Sequence, residues 1–146
     1  MSLEVDILSN VRLKSTSEWQ DAIDREGFPL RLTDDRDISE LRGFLPAILE
    51  QKETGFECDH ITFKELVEST HGVRFDREWK YVLELVYRGD VNEMFAALMA
   101  ATAYARATGG VVLEAESGRL LTPSEACKVL EENKRALALL ESGDAQ

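Results

Sequence analysis

Apolar residues recur every three to four positions in four stretches of the chain and every second position in several others. Trp19, Ala22 and Ile23 fall on one side of a helix predicted over 15–26, which Gly27 ends. A second helix begins after Thr62, turns Phe63, Leu66 and Val67 inward, and stops by Gly72. A third, over 91–108, carries Met94, Phe95, Leu98, Met99 and Thr102 on one side and Ala96, Ala97, Ala100 and Ala103 on the other. The thin alanine side lets another element approach closely, so this helix is expected to be the most buried. It stops at Gly109-Gly110, since glycine takes the left-handed terminator without strain. The fourth helix follows Thr122 and is amphipathic through Ala126, Leu130, Leu137 and Leu140.

Each helix start has the same chemistry. Ser15 with Glu18, Thr62 with Glu65, Asp90 with Glu93 and Thr122 with Glu125 pair a capping oxygen with a glutamate three residues on. Such a pair satisfies the unpaired N–H groups of a first turn. Pro123 stands at the first helical position, where its missing N–H costs nothing.

Strands fill the intervals. Trp79, Tyr81, Leu83, Leu85 and Tyr87 alternate with Lys80, Val82, Glu84, Val86 and Arg88, predicting a strand with one strongly apolar face. Residues 111–113 read as an inner strand, and 5–13 and 30–33 flank the first helix. Residues 44–49 and 56–61 predict a hairpin around Lys52-Glu53-Thr54-Gly55, with Pro46 arguing for an edge strand or a strand start. The fold expected is α+β, a two-layer sandwich of a mixed, mostly antiparallel sheet with about four helices and ferredoxin-like elements. A three-layer arrangement is the alternative. The chain reads as a single domain over 1–141 with 142–146 as a frayed tail.

Composition narrows the function classes. A chain of 146 residues fits one domain that needs no metal or disulfide to fold. The net charge of −11 argues against nucleic acid and against an anionic membrane surface, because both require a Lys/Arg face. It allows a basic protein partner, whose encounter opposite charges would accelerate. Asp6 interrupts the first apolar run, no stretch reaches membrane-spanning length, and the cytoplasm is the expected location.

Catalytic and metal signatures are thin. Cys58-Asp59-His60 with His71 lacks the second ligand pair that a structural zinc requires. On a strand, Cys58 or His60 would face inward and Asp59 outward. Cys127, early in the last helix, reads as a packed thiol, and no nucleophile elbow or phosphate cradle is present. Asp34-Asp35-Arg36-Asp37 is the densest acidic run, but it lacks the glycine and terminal glutamate of a calcium loop. No catalytic residue, metal site or cofactor is therefore predicted. Asp34, Asp35, Asp37, Glu53 and Glu57 are the candidate contacts for a basic partner, with Trp79 and Tyr104 as candidate aromatic anchors.

Two stretches resemble known proteins. Gly43-Phe44-Leu45-Pro46-Ala47 with Glu53-Thr54-Gly55-Phe56-Glu57 is one. Ala101-Thr102-Ala103-Tyr104-Ala105-Arg106-Ala107-Thr108-Gly109-Gly110-Val111-Val112 with Leu121-Thr122-Pro123-Ser124-Glu125-Ala126 is the other. They resemble small uncharacterised bacterial proteins of the immunity-protein type, between residues 43 and 126 with gaps. The shared motifs are a hairpin turn, a helix stop and a capping box, so the resemblance carries over no binding or catalytic residue. It implies a protein-interaction module, an immunity-type inhibitor of a basic bacterial toxin. The alternative is a small-molecule sensor or small enzyme with a pocket between the sheet and helix 91–108, marked by convergence of His60, His71 or Cys127. A homodimer joined through an exposed strand or helix face is the plainest reading.

Overall fold

Strand β1 (Ser2–Ser9) lies inside a seven-stranded sheet, flanked on both sides, and the rest of the molecule is organised around it. The computed structural model describes residues 2–144. Six further strands complete the sheet: β2 (Leu30–Leu32), β3 (Gly43–Leu49), β4 (Lys52–Ile61), β5 (Tyr81–Arg88), β6 (Val111–Glu114) and β7 (Arg119–Leu121). Their order is β2-β3-β4-β5-β1-β6-β7, and every ladder is antiparallel. The sheet is thus not mixed in its pairings. Because β5 and β6 both run against β1, they run parallel to each other on either side of it. The helix α3 (Val91–Thr108) joins them, which makes β5–α3–β6 the split βαβ unit of ferredoxin-like folds.

Three helices cover one face of the sheet. α3 lies against β1, β4, β5 and β6, with α1 (Thr16–Glu26) and α4 (Pro123–Asp144) packed on its flanks. Every residue of α3 from Phe95 to Ala105 is buried, as its all-round apolar sequence predicts. Its alanine side admits α1, whose Trp19 is fully buried and donates its ring N–H to the Ala100 carbonyl at 2.9 Å. Trp19 also meets Tyr104 edge-on with ring centres 5.3 Å apart. Removing such a side chain costs about 3–5 kcal/mol. Gly109 ends α3 at φ 68, as the left-handed cap requires.

The opposite face is covered over one half only. α2 (Phe63–Ser69) and residues 70–80 close a smaller cluster of Leu8, Leu66, Trp79, Val82 and Leu113. No helix among the described residues is long and apolar enough to cross a membrane.

Several boundaries differ from the sequence reading. The turn between β3 and β4 falls at Glu50 and Gln51, both at positive φ, and 52–55 belongs to β4. Gly55 is not a turn residue. It stands opposite Pro46, and a side chain there would meet the Phe44 ring and the Leu45 carbonyl. Pro46 is not on an edge strand, but β2 pairs only with Ala47, Ile48 and Leu49, so the proline falls just past that short ladder. β1 stops at Ser9 and Val11 is exposed, while Val67 points outward from a helix that ends at Ser69. Strand β7 adds an element that the alternation of the sequence does not announce. α4 continues to Asp144, past the expected fraying point, with Leu139 and Leu140 exposed; Ala145 and Gln146 lie outside the described residues.

Candidate functional site

The face of the sheet turned away from α3 changes character along its strands. Directly opposite residues in a ladder share a face, so the register defines three rows. Val111, Leu8, Val82 and Ile61 form an apolar row beneath α2 and residues 70–80. Leu113, Asp6, Glu84 and Asp59 form the next. Glu4, Val86, Glu57 and Phe44 form the third, with Glu53 beyond it on β4. The face thus passes from apolar and covered to acidic and open within two residues of each strand.

Asp6 sits at that boundary. It is fully buried, because β1 has neighbours on both sides and Leu113 beside it. Neither carboxylate oxygen of Asp6 receives a hydrogen bond. The group within reach is another carboxylate, Glu4, which can bond to Asp6 only when one of the two carries a proton. Oxygens of Glu4, Asp6 and Glu84 all lie within 4.8 Å of one another. Burial, reinforced by Glu4 and Glu84, pushes the Asp6 carboxyl up to about 9. Burial, with Glu4, Asp59 and Glu65 adding negative charge, pushes Glu84 up to about 7.

Phe44 marks the open end of the face. Its ring lies over Gly55, which it helps to bury, while Phe44 itself is 54% exposed. A hollow of about 430 Å³ lies on one side of it, past the Glu57–Val86 end of the β4–β5 ladder, lined by Glu57, Val86, Tyr87 and Arg88 together with Phe56 of the main core and Glu93 from α3. A second, of about 620 Å³, lies on the other, reaching Thr33, Ile48 and Glu53.

The acidic residues singled out from sequence come together in part. Glu53 and Glu57 are exposed on this face. Asp34, Asp35 and Asp37 lie on the loop after β2, which Thr16 anchors by donating its hydroxyl to the Asp34 carbonyl at 2.9 Å. Asp34 pairs with Arg36 at 2.8 Å, and Arg36 reaches the Phe44 carbonyl at 3.4 Å, so the loop flanks the same region of β3.

The two aromatic anchors do not belong to it. Trp79 is 7% exposed, packed in the smaller cluster with the Arg77 guanidinium 4.2 Å from its ring centre. β5 starts at Tyr81, so the alternation does not extend back to Trp79. Tyr104 is 2% exposed in the main core, and its hydroxyl accepts the Leu13 N–H at 3.2 Å.

The thiols and imidazoles do not converge. Cys58 is in the main core, where burial pushes its thiol up to about 12. His60 is half-buried against the Ile38 carbonyl at 2.9 Å, and burial lowers its pKa. Asp59 faces outward and lies 3.6 Å from Arg42, while His71 is exposed. Cys127 is half-buried beside the Arg106–Glu26 ion pair. α3 is buried from Phe95 to Ala105, and the hollows that reach its N-terminal end, lined by Glu93 or by Asn92, Phe95 and Met99, gather none of His60, His71 or Cys127.

Sequence reasoning missed Glu4, Asp6 and Glu84 as a group. The visible signal was a carboxylate inside the run Val5-Asp6-Ile7-Leu8, which marks a charged residue on a strand meant to be buried. Compared with known proteins, the chain matches no family model, no curated protein and no solved structure.

Proposed function

We propose that the chain is a protein-binding module that takes a basic partner against the open acidic end of its sheet. Its finer role is that of an immunity-type inhibitor of a basic bacterial toxin, acting in the cytoplasm. The observation that carries the reading is Phe44, an aromatic ring more than half exposed and standing between two hollows among Glu53, Glu57 and Glu93. An aromatic anchor among mostly acidic neighbours, here Glu53, Glu57 and Glu93 against Arg88 and the Asp34-paired Arg36, concentrates binding energy at the centre and steers encounter from the rim. The net charge of −11 supports it, as does the pairing of Arg36 with Asp34 and of Arg42 with Asp59, which leaves the acidic character of this region dominant. Phe44, Glu53 and Glu57 are the contacts proposed, with Asp34, Asp35 and Asp37 at the rim.

The test is co-purification and calorimetry with the product of the neighbouring gene. Binding should weaken steeply with salt. Phe44→Ala should cost about 2 kcal/mol or more, roughly thirtyfold in affinity, and Glu57→Lys should mainly slow association. Absence of binding, together with no protection from that product's toxicity, would sink the reading.

A further inference from the structure

The row of carboxylates at the centre of the sheet poses a problem that the fold itself does not solve. Asp6 is fully enclosed, and both of its carboxylate oxygens are without a donor. A buried carboxylate without a partner is among the costliest groups a core can hold. Here the neighbours make it worse. Glu84 stands directly opposite Asp6 in the ladder, Glu4 lies two residues along on the same face, and Asp59 stands opposite Glu84 on the far side. Glu65 of α2 adds a further negative charge near Glu84. The ion pairs among the described residues do not include Glu4, Asp6 or Glu84. What the arrangement lacks is a positive charge that fits among oxygens.

We propose that Glu4, Asp6 and Glu84 form a binding site for a hard divalent cation, one of calcium, manganese or magnesium. The donor set carries the identity. It is composed of carboxylate oxygens alone, without the nitrogen or sulfur that would select zinc or copper. Oxygens within 4.8 Å of one another can share one ion, since a calcium ion with ligands at about 2.3–2.6 Å spans that distance. Asp6 forms the floor, held by its strand. Glu4 and Glu84 are only half-buried, so the site opens toward the acidic end of the face, where water completes the coordination shell. This site does not depend on the protein-partner reading and can stand or fall without it.

The experiment uses the full chain stripped of metal with a chelator and returned to metal-free buffer near neutral pH at roughly 0.15 M salt. Calorimetry with calcium, magnesium and manganese salts, and loss of the free manganese paramagnetic resonance signal, should show one ion per chain. The same ion should raise the melting temperature. Asp6→Asn and Glu84→Gln should each weaken binding roughly tenfold or more, while Glu57→Gln, an exposed acid on the same face, should leave it unchanged. Glu84 is half-exposed, so its variant remains informative even where Asp6→Asn alters folding. The proposal is overturned if none of the three ions binds at up to about 10 mM. It is equally overturned if several ions bind per chain and Glu57→Gln weakens them as much as Glu84→Gln does, which is diffuse screening of an acidic surface. A site that keeps protons in place of a cation gives the first of these results.

Discussion

Replacing Asp6 by asparagine isolates the cost of burying a carboxyl group in the centre of the sheet. In the metal-free protein its pKa is pushed from 3.8 up to about 9. The folded state therefore holds a proton that the unfolded chain releases above pH 3.8. The group's full stability is present below 3.8 and is lost progressively as pH rises toward 9. Each pH unit in that window costs about 1.4 kcal/mol, so between about pH 5 and about pH 8 the loss from Asp6 is on the order of 4 kcal/mol. Asparagine has no proton to release, and its side-chain amide can donate to the oxygens of Glu4 and Glu84. Urea unfolding of both proteins with a chelator present, at those two pH values, measures the difference. The wild type should lose several kcal/mol more than Asp6→Asn across that interval, and the variant should be the more stable at the higher pH. Parallel pH slopes in the two proteins would refute the argument, because they would mean that the buried carboxyl is ionised in the fold at no cost.

Other perturbations test the architecture. Tyr104→Phe removes the acceptor of the Leu13 N–H inside the main core and should cost about 1 kcal/mol in urea unfolding, without affecting any partner. Gly55→Ala drives a methyl group into the Phe44 ring and the Leu45 carbonyl at a backbone φ of 153, and should lower stability by roughly 2 kcal/mol or more in thermal unfolding. A thiol-labelling reagent at neutral pH should modify Cys127 in the native protein and reach Cys58 only after denaturation, since burial holds the Cys58 thiol up at about 12. Equal labelling rates for the two would contradict the placement of Cys58 in the core.

How much of this was legible beforehand follows from the range over which each signal acts. The helix starts were legible because a cap is a local device: Ser15, Thr62, Asp90 and Thr122 each accept the N–H of the glutamate three residues on, and at Thr62 and Thr122 that glutamate also accepts the cap's own N–H. α3 was legible because an apolar helix stopped by Gly109 has one reading. Strand β7 was not, since Arg119-Leu120-Leu121 shows no alternation of polar and apolar positions. The β3–β4 turn was misplaced because Gly55 is the conspicuous turn former, whereas Glu50 and Gln51 take the positive φ values instead. Trp79 was misassigned by extending the β5 alternation two residues too far. The carboxylate site required pairing information. That Asp6 faces Glu84, from strands distant in sequence, follows only from the register between β1 and β5.

That register also explains why the acidic site lies where it does. Alternation alone gives each central strand two faces, and on β1 and β5 the middle of the face toward α3 is apolar: Val5 and Ile7, Leu83 and Leu85. The other face is graded. Leu8 and Val82 lie beneath α2, Asp6 and Glu84 come next, and Glu4 and Val86 lie beyond them toward the open end. Shifting β1 by one residue against β5 would bring Asp6 to the face packed under α3, where an unpaired carboxylate would meet only hydrocarbon. The acids of β1 therefore bind the chain to one register as firmly as its leucines do. They also fix the carboxylate cluster at the seam between the covered and the open half of the sheet, half enclosed by packing and half reachable from outside. A purely structural polar group is normally supplied with its own donors. A buried acid held at such a seam without donors, with Glu4 and Glu84 beside it, has the geometry of a site completed by something the chain itself does not provide.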